Sequence, residues 1–183
     1  ASAGSPLEFI GVPFEREEVG LRGIHQRENA ALAVAALTAA GLDVSDEAVR
    51  HGLRDVRWPG RFQVVNERIV LDGCHNPHAA EHLLVNWIEA FGPEKATVIF
   101  GALGDKDYAA MLRILETISR EVLIVPIRSE RSAAPEALAA ACAVRHRILK
   151  SVTEALKASQ GRTLVTGSLF LVGEALEVLG VAV

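Results

Sequence analysis

Short apolar strands alternate with amphipathic helices through most of the chain, and this alternation limits the possible folds more than any other feature of the sequence. The predicted strands are 96–100, 122–125, 163–165 and a weaker one at 146–149. The predicted helices are 78–91, 108–118, 135–142, 152–158 and 169–179. Strands that are apolar throughout are typical of a parallel sheet that is covered on both faces. The sequence therefore predicts an α/β domain with a mostly parallel sheet and helices on both of its faces.

The first 57 residues show a different, purely helical pattern. Small apolar residues from Ala30 to Ala40 predict a tightly packed helix that ends at Gly41, and Ser45–Leu53 predicts a shorter second helix. A Trp-Pro-Gly turn follows, and two short β-branched runs, FQVV and RIVL, then predict a hairpin. We therefore expect a short helical N-terminal segment, 1–57, joined at this turn to a larger domain, 58–183.

Composition excludes several classes of partner. Half of the residues are hydrophobic, and the formal net charge of −4 gives no electrostatic reason to expect a nucleic acid or an anionic membrane as partner. The two cysteines form no CxxC pair, which fits a reducing, cytoplasmic setting. The first residues, ASAGSPLEF, lack the basic head and apolar stretch of a signal peptide, and no apolar run is long enough to cross a membrane.

Unusual polar residues follow three of the predicted strands. In open α/β sheets ligands bind at the carboxyl ends of the strands, so chemistry is expected in the loops Asp72–Pro77, Gly101–Asp107 and Thr166–Ser168. Asp72 could bind a ribose hydroxyl pair or a metal-bound water, with His75 and the helix amides close by. Alternatively, Asp72 and Asn76 only cap the turn.

The same segment carries His75, His78 and His82, which raises the alternative of a zinc site. His78 and His82 are four residues apart and would share a helix face. Catalytic zinc normally needs three convergent protein ligands, and His75 lies in the loop before the helix. We therefore expect no metal site here and interpret His78 and His82 as polar positions of a surface helix.

Three further residues are candidates for binding anions. Arg61 follows the Pro-Gly turn, where its guanidinium could hold a phosphate through two hydrogen bonds or form a surface salt bridge. Lys106 lies between two aspartates in a loop after a strand, a position that suits contact with an anion or simple solvation. Ser168 precedes the last helix, where its hydroxyl and the free amides could hold a carboxylate or serve only as an N-cap.

Taken in order, five segments resemble the folylpolyglutamate synthase / dihydrofolate synthase branch of the Mur ligase family. They are GIHQRENAALAVAAL, PGRFQVV, VLDGCHNPHAA, FGALGDKD and VTGSLFLVGEAL. The resemblance runs from about Val19 to Leu179, and one departure is Cys74, where alanine is common in this branch. It implies that residues 1–57 are the end of a central ATPase domain and that 58–183 are a complete Rossmann-like C-terminal domain. The phosphate-binding motif GxxxxGK[ST] does not occur in the chain.

The chemistry that this resemblance implies is ATP-dependent amide formation. ATP phosphorylates a folate or dihydropteroate carboxylate, and glutamate attacks the acyl phosphate. The resemblance gives Asn29 a contact to adenine, Arg61 to the ATP phosphates and Asp72 to the ribose or phosphates. It places His75 beside the phosphates, and it makes Lys106 and Ser168 contacts of the incoming glutamate. It also implies Mg²⁺ bound mostly outside this chain, a monomer, and a fragment that is inactive alone.

Two other interpretations remain open at this point. The chain could belong to another Mur-type amino-acid ligase, which dependence on folate or on murein precursors would distinguish. It could also be a free-standing nucleotide-binding module. The sequence does not decide whether the first glutamate is added, the glutamate tail is extended, or both.

Overall fold

The computed structural model describes residues 10–11, 14 and 18–181. The chain divides into two compact units, and the division falls between Arg57 and Trp58. Among the described residues no helix is both long enough and apolar enough to cross a membrane.

The described part of the first unit contains two α-helices, α1 (Ile24–Ala39) and α2 (Asp46–Asp55). The α1 helix begins well before the predicted Ala30, because the chain turns into the helix at Gly23, which has a φ of 107°. Its first turn, 24–27, therefore lies outside the apolar pattern that defined the prediction. The α2 helix begins where expected, since the Ser45 side chain accepts a hydrogen bond from Ala48 N at 3.3 Å.

The second unit contains a six-stranded sheet and five α-helices among its described residues. Its strands are β1 (Gln63–Val65), β2 (Ile69–Leu71), β3 (Ala96–Phe100), β4 (Ser119–Ile124), β5 (His146–Ile148) and β6 (Thr163–Thr166). Its helices are α3 (Pro77–Phe91), α4 (Tyr108–Leu115), α5 (Pro135–Ala140), α6 (Val152–Ala158) and α7 (Leu169–Leu179). The strand order is β1-β2-β6-β3-β4-β5. Among the pairs of these six strands only β1–β2 is antiparallel, so the expected mostly parallel sheet is confirmed.

Helices cover both faces of the sheet, as the apolar pattern predicts. One buried cluster joins α3, α4 and α5 to alternate strand residues such as Val98 and Phe100. The other joins α6 and α7 to the residues between them, such as Ile99. Each central strand therefore buries side chains on both faces, which is why its sequence is apolar without interruption.

Within the second unit, the largest boundary differences lie around β4. The predicted helix 108–118 is α-helical only to Leu115 and ends in a 3₁₀ turn, Glu116–Ile118. Thr117 Oγ1 donates to Ile114 O at 2.7 Å and Ser119 Oγ donates to Leu115 O at 2.8 Å. These side-chain hydrogen bonds replace those of a continuing helix, so β4 can begin at Ser119.

Candidate active site at the carboxyl edge of the sheet

The site is positioned by three neighbouring parallel strands, β2, β6 and β3, whose carboxyl ends meet at one edge. Asp72 follows β2, Thr166 ends β6 and Gly101 follows β3. Backbone hydrogen bonds join the loops, from Asp72 N to Val165 O at 3.0 Å and from Gly167 N to Cys74 O at 3.1 Å. The prediction that these three residues share one edge is confirmed.

Asp72 is held in place by backbone amides on both of its carboxylate oxygens. Phe62 N donates to Oδ2 at 2.9 Å, and Cys74 N donates to Oδ1 at 2.9 Å. Burial raises the pKa of Asp72 to about 6, and the two amide hydrogen bonds oppose that rise. The carboxylate therefore connects the β2 loop to the segment before β1, as well as presenting a charge at the edge.

Arg61 lies beside Asp72 because the two loops are joined directly. Gly73 N donates to Gly60 O at 2.8 Å, which sets the Pro-Gly turn against the loop after β2. Arg61 is exposed, and its positive charge lowers the pKa of Asp72 in opposition to burial. An exposed guanidinium next to a fixed carboxylate can contact an anion from solvent without moving the backbone.

The β2 loop makes a very close approach to α7. A Cβ on Gly73 would come within 2.3 Å of Leu169 Cδ2, so only glycine fits there without a shift. Gly167 has a φ of 106°, and a Cβ there would lie 2.6 Å from Gly101 O. Sequence reasoning missed these two structural roles, although the Asp-Gly and Gly-Ser pairs directly after strands were the signal.

His75 and Asn76 lead from this loop into α3. His75 Nδ1 lies 2.9 Å from Gly73 O, which fixes the ring against its own loop. Asn76 Oδ1 accepts a hydrogen bond from Ala79 N at 2.8 Å and Pro77 occupies the first helical turn, so Asn76 is the N-cap of α3.

The structure does not support the zinc site considered from the sequence. His78 and His82 share a face of α3, and their Nε2 atoms lie 3.3 Å apart. Within residues 18–181 and the few described before them, no group of three His, Cys, Asp or Glu residues could hold a metal ion. His75 instead hydrogen-bonds within its own loop.

Lys106 lies in the loop after β3, which is fastened to the loop after β4. Gly104 N donates to Arg131 O at 2.8 Å, and Ala133 N donates to Ala102 O at 2.9 Å. Asp105 lies 2.6 Å from Arg131 Nη2 and 3.7 Å from Lys106 Nζ, and the hydrogen bond from Arg131 lowers its pKa. Arg131, which the sequence did not single out, therefore holds the loop of Lys106.

Ser168 is the N-cap of α7, where its side chain accepts a hydrogen bond from Phe170 N at 3.1 Å. Ser168 is buried, with only 2% of its surface exposed to solvent. The next two residues, Leu169 and Phe170, are half exposed on the outside of α7. A ligand at this edge would thus meet the first amides of α7 together with an apolar surface.

The described contacts place Arg61, Asp72, His75, Lys106 and Ser168 in loops at one edge of one unit. Asn29 belongs to the other unit, on an exposed part of α1, where its Nδ2 donates to Gln26 Oε1 at 3.1 Å. Cys74 is buried, and burial raises the pKa of its thiol to about 12, so the thiol remains protonated at neutral pH.

Comparison with known proteins identifies the family to which the segment that forms this edge belongs. Residues 60–172, which include all of the site loops except Asn29, match the family described as Mur ligase, glutamate ligase domain. The chain belongs to the Mur ligase family. The dihydrofolate synthase/folylpolyglutamate synthase of Bacillus subtilis is 32% identical over 175 residues, which cover 88% of this chain and 40% of that protein.

Solved structures of this family share the fold. Escherichia coli FolC in complex with DHPP and ADP is similar with a TM-score of 0.74 and 36% identity, covering 83% of this chain and 38% of that one. The Yersinia pestis bifunctional folylpolyglutamate synthase/dihydrofolate synthase complexed with AMPPNP and Mn ion has a TM-score of 0.74 and 35% identity, with coverages of 83% and 38%. The chain thus spans about two fifths of the length of these relatives.

Proposed function

We propose that this chain is the C-terminal part of a longer ATP-dependent ligase that joins glutamate to a folate or dihydropteroate carboxylate through an acyl phosphate. The longer protein is called the parent protein below. The observation that carries the proposal is that the loop of Arg61 is hydrogen-bonded to the loop of Asp72 at the carboxyl edge. Both loops lie inside the segment that matches the glutamate ligase domain. Relatives of this family have been solved with ADP, with DHPP and with AMPPNP.

In this proposal the loops at the edge contact different parts of the substrates. Arg61 contacts the ATP phosphates and Asp72 the ribose or phosphates, because the exposed guanidinium lies beside a carboxylate that the backbone holds rigidly. Lys106 and the first amides of α7 after Ser168 hold the incoming glutamate, whose two carboxylates need cationic and amide donors. We also propose that Asn29 contacts the adenine. Residues 1–57 are the end of the ATPase domain.

The residues described in this chain do not fit the metal by themselves. They include no group of three His, Cys, Asp or Glu side chains that could hold an ion. A magnesium ion, the cation that nucleoside triphosphates usually carry, would therefore take its protein ligands from the rest of the parent protein. In this proposal the chain contributes to catalysis by positioning the phosphates and the nucleophile and by stabilising them electrostatically. We further propose that the parent protein acts as a cytoplasmic monomer.

The test is ATP-dependent incorporation of labelled glutamate by the parent protein, with dihydropteroate, a reduced folate or a murein precursor as acceptor. We expect amide formation with dihydropteroate or folate, with one ADP and one phosphate released per bond. Use of the murein precursor alone would assign the chain to another Mur-type ligase. No amide formation with any acceptor would contradict the proposal.

A further inference from the structure

The titratable groups at the carboxyl edge differ in whether they can accept a proton. The glutamate amine is an ammonium ion at neutral pH and must lose a proton before it can attack a carbonyl carbon. Arg61 and Lys106 are cations that have no free lone pair. The described residues in the loops after β2, β3 and β6 that could accept the proton are Asp72, Cys74, His75 and the two aspartates around Lys106.

Most of these groups are already engaged or blocked. Both oxygens of Asp72 accept backbone amides, so its carboxylate is engaged in holding two loops together, although burial raises its pKa to about 6. Asp105 is ion-paired with Arg131 at 2.6 Å, and Asp107 Oδ1 accepts a hydrogen bond from Ala110 N as the N-cap of α4. The Cys74 thiol is buried, and its deprotonation is strongly disfavoured.

His75 differs from these groups because its loop fixes which ring nitrogen carries a proton. Its Nδ1 lies 2.9 Å from Gly73 O, and a carbonyl oxygen can only accept a hydrogen bond. The hydrogen of the neutral ring is therefore on Nδ1, and the lone pair is on Nε2. Orientation by a hydrogen bond on the far nitrogen is the usual preparation of a histidine for proton transfer.

Resting on the proposed function, we infer that Nε2 of His75 removes the proton that activates the glutamate amine. The ammonium transfers one proton to Nε2, which leaves a neutral amine and an imidazolium. The amine attacks the carbonyl carbon of the acyl phosphate, so that a C–N bond forms and the C–O bond to phosphate breaks. The second amine proton leaves with the phosphate as hydrogen phosphate, and the imidazolium returns its proton to water.

The variant His75→Asn in the parent protein separates this role from a structural one. The asparagine amide can replace Nδ1 as donor to Gly73 O, so the loop is retained, while the acceptor at Nε2 is lost. His75→Gln is a second variant, which places an amide near the position of Nε2. His78→Asn is the matched control, since His78 is an exposed histidine on the first turns of α3 that faces His82.

The readout compares two nucleophiles at the same pH. Hydroxylamine is neutral at neutral pH and reacts with an acyl phosphate without giving up a proton first, so it needs no proton acceptor. We expect His75→Asn to lower amide formation with glutamate by at least about 10²-fold, the usual lower range for a lost general base, and hydroxamate formation by less than about threefold. His78→Asn should leave both rates unchanged.

Three results would decide against the inference. A parallel loss of both activities would show that His75 acts on the phosphates or on the fold, and loss of neither would show that it carries no proton. Rescue of glutamate turnover by His75→Gln to the rate of the unmodified protein would also overturn it, because an amide cannot accept the proton. If the unmodified parent protein forms neither amide nor hydroxamate, the proposed function itself fails, which is distinguishable from all three.

Discussion

At the scale of single residues, burial of the Asp72 carboxylate lowers the free energy of unfolding at neutral pH, and the same carboxylate holds a negative charge at the carboxyl edge. Its pKa of about 6 lies above the ordinary value of 3.8 because burial disfavours the carboxylate. The folded chain therefore binds this proton more tightly than the unfolded chain does. The stabilising contribution of the protonated carboxyl is complete below about pH 4 and is lost as the pH rises through about 6.

This linkage predicts how the free energy of unfolding depends on pH. Unfolding of the chain and of its Asp72→Asn variant in urea, compared from pH 4 to pH 7, should show the stability of the unmodified chain falling relative to the variant. The relative fall should reach up to about 3 kcal/mol, since each pKa unit corresponds to about 1.4 kcal/mol. Asp43→Asn, at an exposed position of the first unit, is the control. A relative stability that rises with pH would show that the Asp72 pKa is lowered instead.

Arg61 gives a second prediction at this scale. Arg61→Ala in the parent protein should lower turnover by roughly 10²-fold, the size of one lost transition-state charge contact, and leave the melting temperature unchanged. Arg113→Ala, at an exposed position of α4, should change neither quantity. A loss of less than about threefold for Arg61→Ala would rule out a phosphate contact.

At the scale of elements, the close contact between the loops after β2, β3 and β6 predicts a contrast between two glycines. Gly167→Ala should destabilise the chain by about 2 kcal/mol or more, because its φ is positive and its Cβ would meet Gly101 O. Gly173→Ala should stabilise it by about 0.5–1 kcal/mol, because that glycine lies inside α7 and a Cβ there meets nothing within 4 Å. Urea unfolding measures both, and a cost below about 0.5 kcal/mol for Gly167→Ala would contradict the packing described.

The same elements explain how much the sequence could predict. β3, α6 and α7 have the predicted bounds, because each begins or ends at a distinct signal such as the capping side chains of Ser151 and Ser168. The start of α1 was placed too late, because polar residues can form the first turn of a helix without an apolar repeat. The 3₁₀ turn after α4 depends on local hydrogen bonds that periodicity does not reveal.

The candidate site was predictable in position but not in detail. Parallel strands bring their carboxyl ends together, so the loops of Asp72, Lys106 and Ser168 could be assigned to one edge from the strand order that such folds share. The direct pairing of the Gly60 and Gly73 backbones and the ion pair of Asp105 with Arg131 join residues distant in sequence. Such contacts follow from the packed fold and leave no local signal in the sequence.

At the scale of the whole molecule, the length of the relatives supports the proposal that this chain supplies only part of an active site. The chain covers 40% of the Bacillus subtilis relative, and its described residues offer no three-ligand metal site. In the proposed site, Arg61 and Asp72 contribute only a few nucleotide contacts. The free energy left after the ordering costs of binding should then be small.

The most direct test of the central claim compares the isolated chain with the parent protein. Each is titrated with Mg-ATP by calorimetry and then assayed for amide formation with glutamate and a reduced folate. The isolated chain should bind Mg-ATP no better than at millimolar concentration and form no amide, whereas the parent protein should bind the nucleotide and turn over. Micromolar affinity or turnover above background in the isolated chain would contradict the claim, because this chain would then hold a complete active site.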